Sequence, residues 1–305
     1  MLSLTLFLIL IGPKLPPGVR SLLMEIMIFS IYAMAFDILF GFSNQFSFGQ
    51  ALFFGVGAYG VLLPVLRMGS DLWTAMVISL MLCLFLAISL GYLAVRLSQA
   101  YFVIITIIFN LIFFLLALDW TWLTGGDDGL TFTLPPLRLG FVSYSLYDPM
   151  VNYYFILSFL IFAYLLLRRI IGSPLGRILI CIRENEGRAR FLGYNVTRYK
   201  LIAYIISALA AGLSGALFAI RSRYASADYF SLVLSGEPVV WTLLGGAGTL
   251  VGPILGAAIL TPFAYYVSAW WKHYLILVGV LLIVVLRVAP RGIVGYLAGK
   301  MGVRF

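Results

Sequence analysis

Long apolar runs repeat from one end of this 305-residue chain to the other, and they limit what the chain can fold into. A helix needs about 20 apolar residues to cross a bilayer, so a chain of this length with short connections has room for about eight to ten spans. Only 10% of the residues are charged, well below the roughly one quarter that is usual in soluble domains. The sequence therefore predicts an all-α polytopic membrane protein, with residues 1–305 forming a single transmembrane domain.

The apolar runs divide the chain into ten elements that cross or re-enter the membrane. The first is short for a span, and the eighth is only a short apolar segment. In chain order the ten elements are residues 2–11, 21–40, 51–66, 72–95, 101–118, 151–167, 201–220, 239–244, 251–269 and 274–288.

Charge is concentrated in one window, residues 168–200, which holds ten of the 31 charged residues and eight cations. Lys and Arg near span ends mark the cytoplasmic side, so these cations indicate topology rather than nucleic-acid binding. Alternation from this window places the acidic loop 119–149 outside. Both termini then lie inside, which predicts a multi-pass protein of the cell inner or plasma membrane.

The same window has the start and stop signals of short helices. Ser173 followed by Pro174 is typical of a helix start, Gly193 is typical of a helix end, and Glu184 with Arg188 forms a stabilising four-residue spacing. The sequence predicts one or two amphipathic helices over about residues 172–198. On physical grounds two interpretations stay open, a basic loop on anionic lipid and a docking element for a cytoplasmic partner.

Motifs for chemistry on this chain are missing from the sequence. There is no P-loop for ATP and no cluster with metal-ligand spacing, and the single histidine, His273, is expected to be an interfacial anchor beside two tryptophans. Glu25 and Asp37 fall within the second run, where a charge is costly and often functional. The lack of paired mid-span carboxylates argues against a proton-coupled carrier.

Two glycine-rich breaks give the halves of the chain a weak similarity, GFSNQFSFGQALFFGVGAYG early and LLGGAGTLVGPILGAAIL late. Transporters often contain repeated halves with discontinuous helices near the substrate path, although ordinary tight turns also contain glycine. Small residues four apart, such as Ala208, Gly212 and Ala216, predict close helix packing in lipid.

Several motifs together carry a family resemblance that covers most of residues 30–298. The stretch SPLGRILICIRENEGRARFLGYNVTRYKLIAYIISALAAGLSGAL resembles the cytoplasmic loop and following span of the branched-chain amino acid ABC permease family, LivM type. The motifs FGFSNQFSFGQALFFGVGAYG, TGGDDGL, GGAGTLVGPILGAAIL and PRGIVGYL are similar to others of that family and follow in the same order.

The resemblance implies a permease subunit of an ATP-driven ABC importer, with a type II importer fold of about ten helices in two pseudo-repeated halves. It implies partners as well: a second homologous permease, two cytoplasmic ATPases and a periplasmic or extracellular substrate-binding protein. ATP and Mg would bind the ATPases, so no cofactor is expected on this chain. Related families carry urea, amides, sugars or nucleosides, which leaves the substrate open, and an ion-coupled carrier or a membrane enzyme is a weaker alternative.

Three groups of residues follow as candidates, and two positions depart from the family pattern. Gln50 stands where the family often has histidine, and Asp37 where it usually has a neutral residue. The candidates are, for ATPase coupling, Arg183, Glu184, Glu186, Arg188 and Gly193; for the substrate pathway, Ser43, Asn44, Gln45, Ser47, Gln50, Gly245, Gly246 and Gly248; and for the external loop, Asp127 and Asp128.

Overall fold

The computed structural model describes residues 12–139, 142–271, 273–289 and 292–300. Within these ranges thirteen α-helices account for most of the chain. They are α1 (Pro17–Ser43), α2 (Gln50–Met68), α3 (Leu72–Ala94), α4 (Gln99–Asp119), α5 (Thr121–Thr124), α6 (Pro149–Ile171), α7 (Pro174–Glu184), α8 (Glu186–Phe191), α9 (Val196–Ser222), α10 (Leu232–Gly245), α11 (Val251–Trp270), α12 (Tyr274–Val288) and α13 (Gly292–Lys300).

Seven of these helices are long and apolar enough to cross a membrane, namely α1, α2, α3, α4, α6, α9 and α11. Two shorter apolar helices, α10 and α12, bring the membrane elements of the described ranges to nine. The all-α polytopic class is thus confirmed, with a helix count close to the predicted ten. The first predicted run, residues 2–11, lies outside the described residues.

The segment predicted at residues 239–244 is a longer helix than the sequence suggested. α10 begins at Leu232, where the Ser231 hydroxyl accepts a hydrogen bond from the Leu234 backbone nitrogen at 3.3 Å. Pro238 lies inside the helix and shortens the apolar run that the pattern shows. Membrane helices tolerate such a proline where neighbouring helices satisfy the freed backbone groups.

The core is built around α1 and α9, and glycine allows α2 to pack closely on α9. A Cβ at Gly57 would lie 2.0 Å from the Gly212 carbonyl oxygen, and a Cβ at Gly215 would lie 1.9 Å from that of Phe54. These contacts confirm the predicted close packing of small residues. By contrast, α4 and α12 present much of their apolar surface outward.

The loop between α4 and α6 contains short strands that the sequence did not predict. β1 (Leu130–Thr131) pairs antiparallel with β4 (Tyr224–Ala225), and β2 (Leu137–Leu139) pairs with β3 (Val142–Tyr144). The first pairing ties this loop to the end of α9. Because α6 runs away from the loop and α9 runs back to it, α7 and α8 lie at the opposite end of the bundle. We call these the loop end and the α7–α8 end.

Candidate functional site

The charged window forms two short helices, as predicted. α7 follows Ser173 and Pro174, and α8 ends just before Gly193, whose φ of +89° favours glycine. The expected pairing of Glu184 with Arg188 is wrong, because the extended backbone of Asn185 separates the two helices. The Asn185 side chain instead accepts a hydrogen bond from the Arg188 backbone nitrogen at 2.9 Å and caps α8.

Glu186 ties α8 to the start of α9. Its two carboxylate oxygens lie 2.6 Å from an Arg190 guanidinium nitrogen and 2.6 Å from the Lys200 ammonium nitrogen. Partial burial alone would raise the pKa of Glu186, but the hydrogen bonds and charges of Lys200 and Arg190 outweigh it and hold the pKa below its ordinary value. This predicted coupling residue is therefore engaged within the chain.

An apolar tip, which we define as Phe191 and Leu192, projects from the end of α8. Phe191 is 94% exposed and Leu192 is 66% exposed. A Cβ placed at Gly193 would meet nothing within 4 Å, and Arg188 beside it is also exposed. The tip thus presents apolar surface and positive charge that no described part of this chain covers.

Arg183 is exposed, but its guanidinium also reaches the bundle. Its Nη1 donates a hydrogen bond to the Gly41 carbonyl oxygen near the end of α1. The same nitrogen would lie 2.7 Å from a Cβ built at Gly248. Arg183 therefore joins α7 to α1 and to the late glycine-rich break.

Asp37 fixes the backbone of that break. It is fully buried, and its two carboxylate oxygens accept hydrogen bonds from the backbone nitrogens of Gly248 at 2.6 Å and Leu250 at 3.0 Å. Gly248 and Leu250 both have positive φ, +78° and +56°, so the carboxylate holds a strained turn in place. Sequence reasoning singled out Asp37 only as a departure and as an intramembrane charge, because its partners lie more than 200 residues away.

The early break meets α7 and α8 at a shared polar cavity of about 520 Å³. Ser43, Asn44 and Gln45 line it together with Arg183 and Glu184. Gln45 is only 5% exposed, and neither polar atom of its side chain has a hydrogen-bond partner among the described residues. Two groups that the sequence assigned to different roles, pathway and coupling, thus converge at the α7–α8 end.

The remaining pathway candidates are engaged in hydrogen bonds or close backbone packing within the chain. The Ser47 hydroxyl accepts a hydrogen bond from the Gly49 nitrogen at 3.2 Å, and the Gln50 amide donates to the Ser207 hydroxyl at 3.0 Å. The late break is also tight, since a Cβ at Gly245 would lie 1.7 Å from the Gly252 carbonyl oxygen. Gly246 has a φ of +118°.

Asp127 and Asp128 lie at the loop end, far from these groups. Both are exposed. The backbone carbonyl of Asp128 accepts a hydrogen bond from the Tyr224 hydroxyl at 2.9 Å, beside the β1–β4 pairing. The structure therefore places the external-loop candidates at one end of the bundle and the coupling candidates at the other.

Residues 18–286 match the family described as branched-chain amino acid transport system / permease component. The chain belongs to this permease family. Its membership agrees with the set of apolar helices and identifies the chain as a multi-pass membrane permease subunit. No solved structure matches it.

Individual relatives are named as permease proteins of transport or import systems. The chain is 27% identical, over 287 residues, to the high-affinity branched-chain amino acid transport system permease protein LivM of Salmonella typhimurium, covering 88% of this chain and 68% of the relative. The LivM protein of Escherichia coli gives the same identity and coverage. An autoinducer 2 import system permease protein, LsrC of an Enterobacter species, is 32% identical over 125 residues, 35% of each chain.

Proposed function

We propose that this permease is one membrane-spanning subunit of an ATP-driven importer for branched-chain or other hydrophobic amino acids. The observation that carries the proposal is the α7–α8 segment of a family permease, which presents an uncovered apolar tip with flanking cations. Exposed apolar groups surrounded by charge are typical of a protein-docking surface. The substrate class rests on the LivM relatives.

In this proposal two ATPases bind the α7–α8 end from the cytoplasm and supply ATP and Mg. A second homologous permease completes the pathway, and a substrate-binding protein docks at the loop end near Asp127 and Asp128. Both termini are then cytoplasmic.

The contacts of Arg183 and Asp37 suggest how movement reaches the pathway. When the ATPases close, α7 moves and pulls on the Gly41 carbonyl through Arg183. Asp37 joins the same end of α1 to the late break. ATP shifts the outward–inward equilibrium only by its different affinity for the two states, so a rigid link of this kind is needed between motor and path.

A second candidate substrate class is a small polar solute, because the LsrC relatives are named as autoinducer 2 import permeases. An ion-coupled carrier is less favoured, since buried Asp37 is occupied by backbone donors. Import assays with purified binding protein, ATPases and both permeases in proteoliposomes separate these classes. Labelled leucine should accumulate only with ATP inside.

Docking is tested by replacing the apolar tip, Phe191→Asp with Leu192→Asp. If the ATPase buries both side chains when it binds, their loss weakens the binding free energy by about 3–6 kcal/mol. The amount of ATPase that co-purifies should therefore fall by at least a hundredfold. The matched control is Met68→Asp, which changes a residue 76% exposed at the loop end and should leave co-purification intact. Unchanged co-purification by the tip variant refutes docking at this surface.

A further inference from the structure

A second cavity, of about 470 Å³, lies in the half of the bundle nearer the loop end. It opens between α1, α10, α11 and α12 and has an unusual combination of walls. Glu25, Glu237 and Thr261 provide polar groups, while Phe29 and Trp241 provide aromatic surface. Its size falls within the range of about 300–1,000 Å³ that is usual for small-molecule sites. None of the roles considered above uses this cavity.

The two carboxylates differ in their partners. An oxygen of Glu25 lies 3.2 Å from an Arg221 guanidinium nitrogen, which also donates to the Ser21 hydroxyl at 2.9 Å. Glu237 takes part in no ion pair or hydrogen bond among the described residues, and Glu25 lines the same cavity as a second acidic group. With Glu25 and Arg221 compensating each other, Glu237 is the carboxyl group of the cavity lining whose negative charge, when it is ionised, has no counter-charge among the described residues. Such a charge at membrane depth is costly unless a cation or a proton joins it.

Thr261, on α11, adds an independent observation. It is only 8% exposed, and its hydroxyl has no hydrogen-bond partner among the described residues. A buried hydroxyl without a partner costs about 1–3 kcal/mol. Because Thr261 lines the same cavity as Glu237, a ligand that donates hydrogen bonds would satisfy both groups at once.

The remaining walls are apolar and aromatic. The rings of Phe29 and Trp241 pack with centroids 5.0 Å apart, and Val240 and Leu260 extend this surface. Such walls take up an aliphatic chain by burying its surface. A strongly hydrated inorganic cation would gain nothing from them.

We propose that this cavity binds the ammonium group of a small aliphatic amine, with the ammonium between Glu237 and Thr261 and the aliphatic body against Phe29 and Trp241. An ammonium group has three donors and one positive charge, which matches the acceptors and the unmatched charge of the cavity. Resting on the proposed function, the natural occupant is the α-ammonium end of an aliphatic amino acid in transit. An aliphatic carboxylate without the amine is repelled.

The test uses the full-length chain in lipid nanodiscs and isothermal titration with three probes that share a branched aliphatic body. Isoamylamine has the amine alone, 4-methylvalerate has the carboxylate alone, and L-leucine has both. We expect isoamylamine and L-leucine to bind and 4-methylvalerate to give no signal. If isoamylamine does not bind, or if 4-methylvalerate binds equally well, the proposal is wrong and Glu237 carries only a proton.

Three variants locate the binding. Glu237→Gln, which keeps the shape of the side chain, should weaken isoamylamine at least tenfold, and Thr261→Val should weaken it several-fold. The control Asp228→Asn removes an exposed carboxylate outside the cavity lining and should change nothing. Equal affinity in wild type and Glu237→Gln overturns the site, and the Thr261→Val titration decides the matter should the glutamine variant fail to fold.

Import measurements separate this inference from the proposed function. If the reconstituted importer carries leucine and neither isoamylamine nor Glu237→Gln affects the rate, the amine site is wrong and the function stands. If isoamylamine binds as expected but the importer carries no amino acid, the site stands and the assigned substrate is wrong.

Discussion

Replacing Asp37 with asparagine tests the link between α1 and the late glycine-rich break. The carboxylate accepts hydrogen bonds from two backbone nitrogens, those of Gly248 and Leu250, in a fully buried setting. Asparagine has one acceptor oxygen, so one N–H is left buried without a partner at a cost of about 1–3 kcal/mol, and the surviving bond loses about 1 kcal/mol of charge assistance. The turn should therefore be destabilised by about 2–4 kcal/mol.

Hydrogen–deuterium exchange of the purified chain in nanodiscs measures this loss locally, because exchange reports the free energy of opening. If the turn loses about 2–4 kcal/mol, the backbone amides of residues 246–250 should exchange about 30-fold to several hundred-fold faster. The control is Asp71→Asn, whose exposed carboxylate lies 3.9 Å from Arg138 and should contribute less than about 1 kcal/mol. Unchanged exchange at residues 246–250 in the Asp37 variant would show that the Asp37 carboxylate does not hold the turn.

Three further predictions address packing, acidity and helix ends. Gly57→Ala should destabilise the bundle by at least about 2 kcal/mol in thermal unfolding, because the new Cβ meets the Gly212 backbone; Gly279→Ala, with open space around it, should be neutral or stabilise by up to about 1 kcal/mol, and equal effects would contradict the packing. Because the folded chain lowers the pKa of Glu186, the contribution of its carboxylate to stability is complete above the ordinary pKa of 4.5 and is lost as the pH falls through the lower pKa of the folded state. In wild type, the exchange protection of α8 should fall over that pH range. An identical fall in Glu186→Gln would exclude Glu186 as the cause. Gly193→Ala should loosen the C-terminal end of α8 by about 1 kcal/mol because of its positive φ. Gly187→Ala, inside α8 and without a positive φ, places its Cβ 3.3 Å from the Asn185 side-chain oxygen at the other end of the helix, so the end at Gly193 should keep its protection. Equal loosening of that end by both variants would show that φ is not the reason.

The sequence predicted most of what local rules govern. Apolar runs located the spans, and the Ser173–Pro174 and Gly193 signals marked the two ends of the α7–α8 segment. The pairing of Glu184 with Arg188 was predicted wrongly because a fixed spacing assumes one continuous helix, and Asn185 interrupts it. The helix α10 was predicted only from residue 239 onward, because Pro238 interrupts the apolar run although it lies inside the helix.

The sequence could not predict contacts between residues that lie far apart in the chain. Asp37 meets the turn at Gly248 and Leu250 across more than 200 residues, and Arg183 meets Gly41 across 142. Only the folded bundle brings these groups together, so the sequence showed an isolated charge where the structure shows an anchor. The cavity with Glu237 was missed for the same reason, since its walls come from four separate helices.

ATP-driven import through this chain requires that the α7–α8 end faces the cytoplasm and contacts the ATPases. The direct measurement is labelling of a single cysteine, Phe191→Cys in a Cys181→Ser background, with a membrane-impermeant maleimide. Cys83 is buried and serves as an internal blank in the parent Cys181→Ser chain. We expect labelling in inverted vesicles, no labelling in intact cells, and protection when the ATPases are bound. Labelling from outside intact cells would show that the α7–α8 end does not face the cytoplasm.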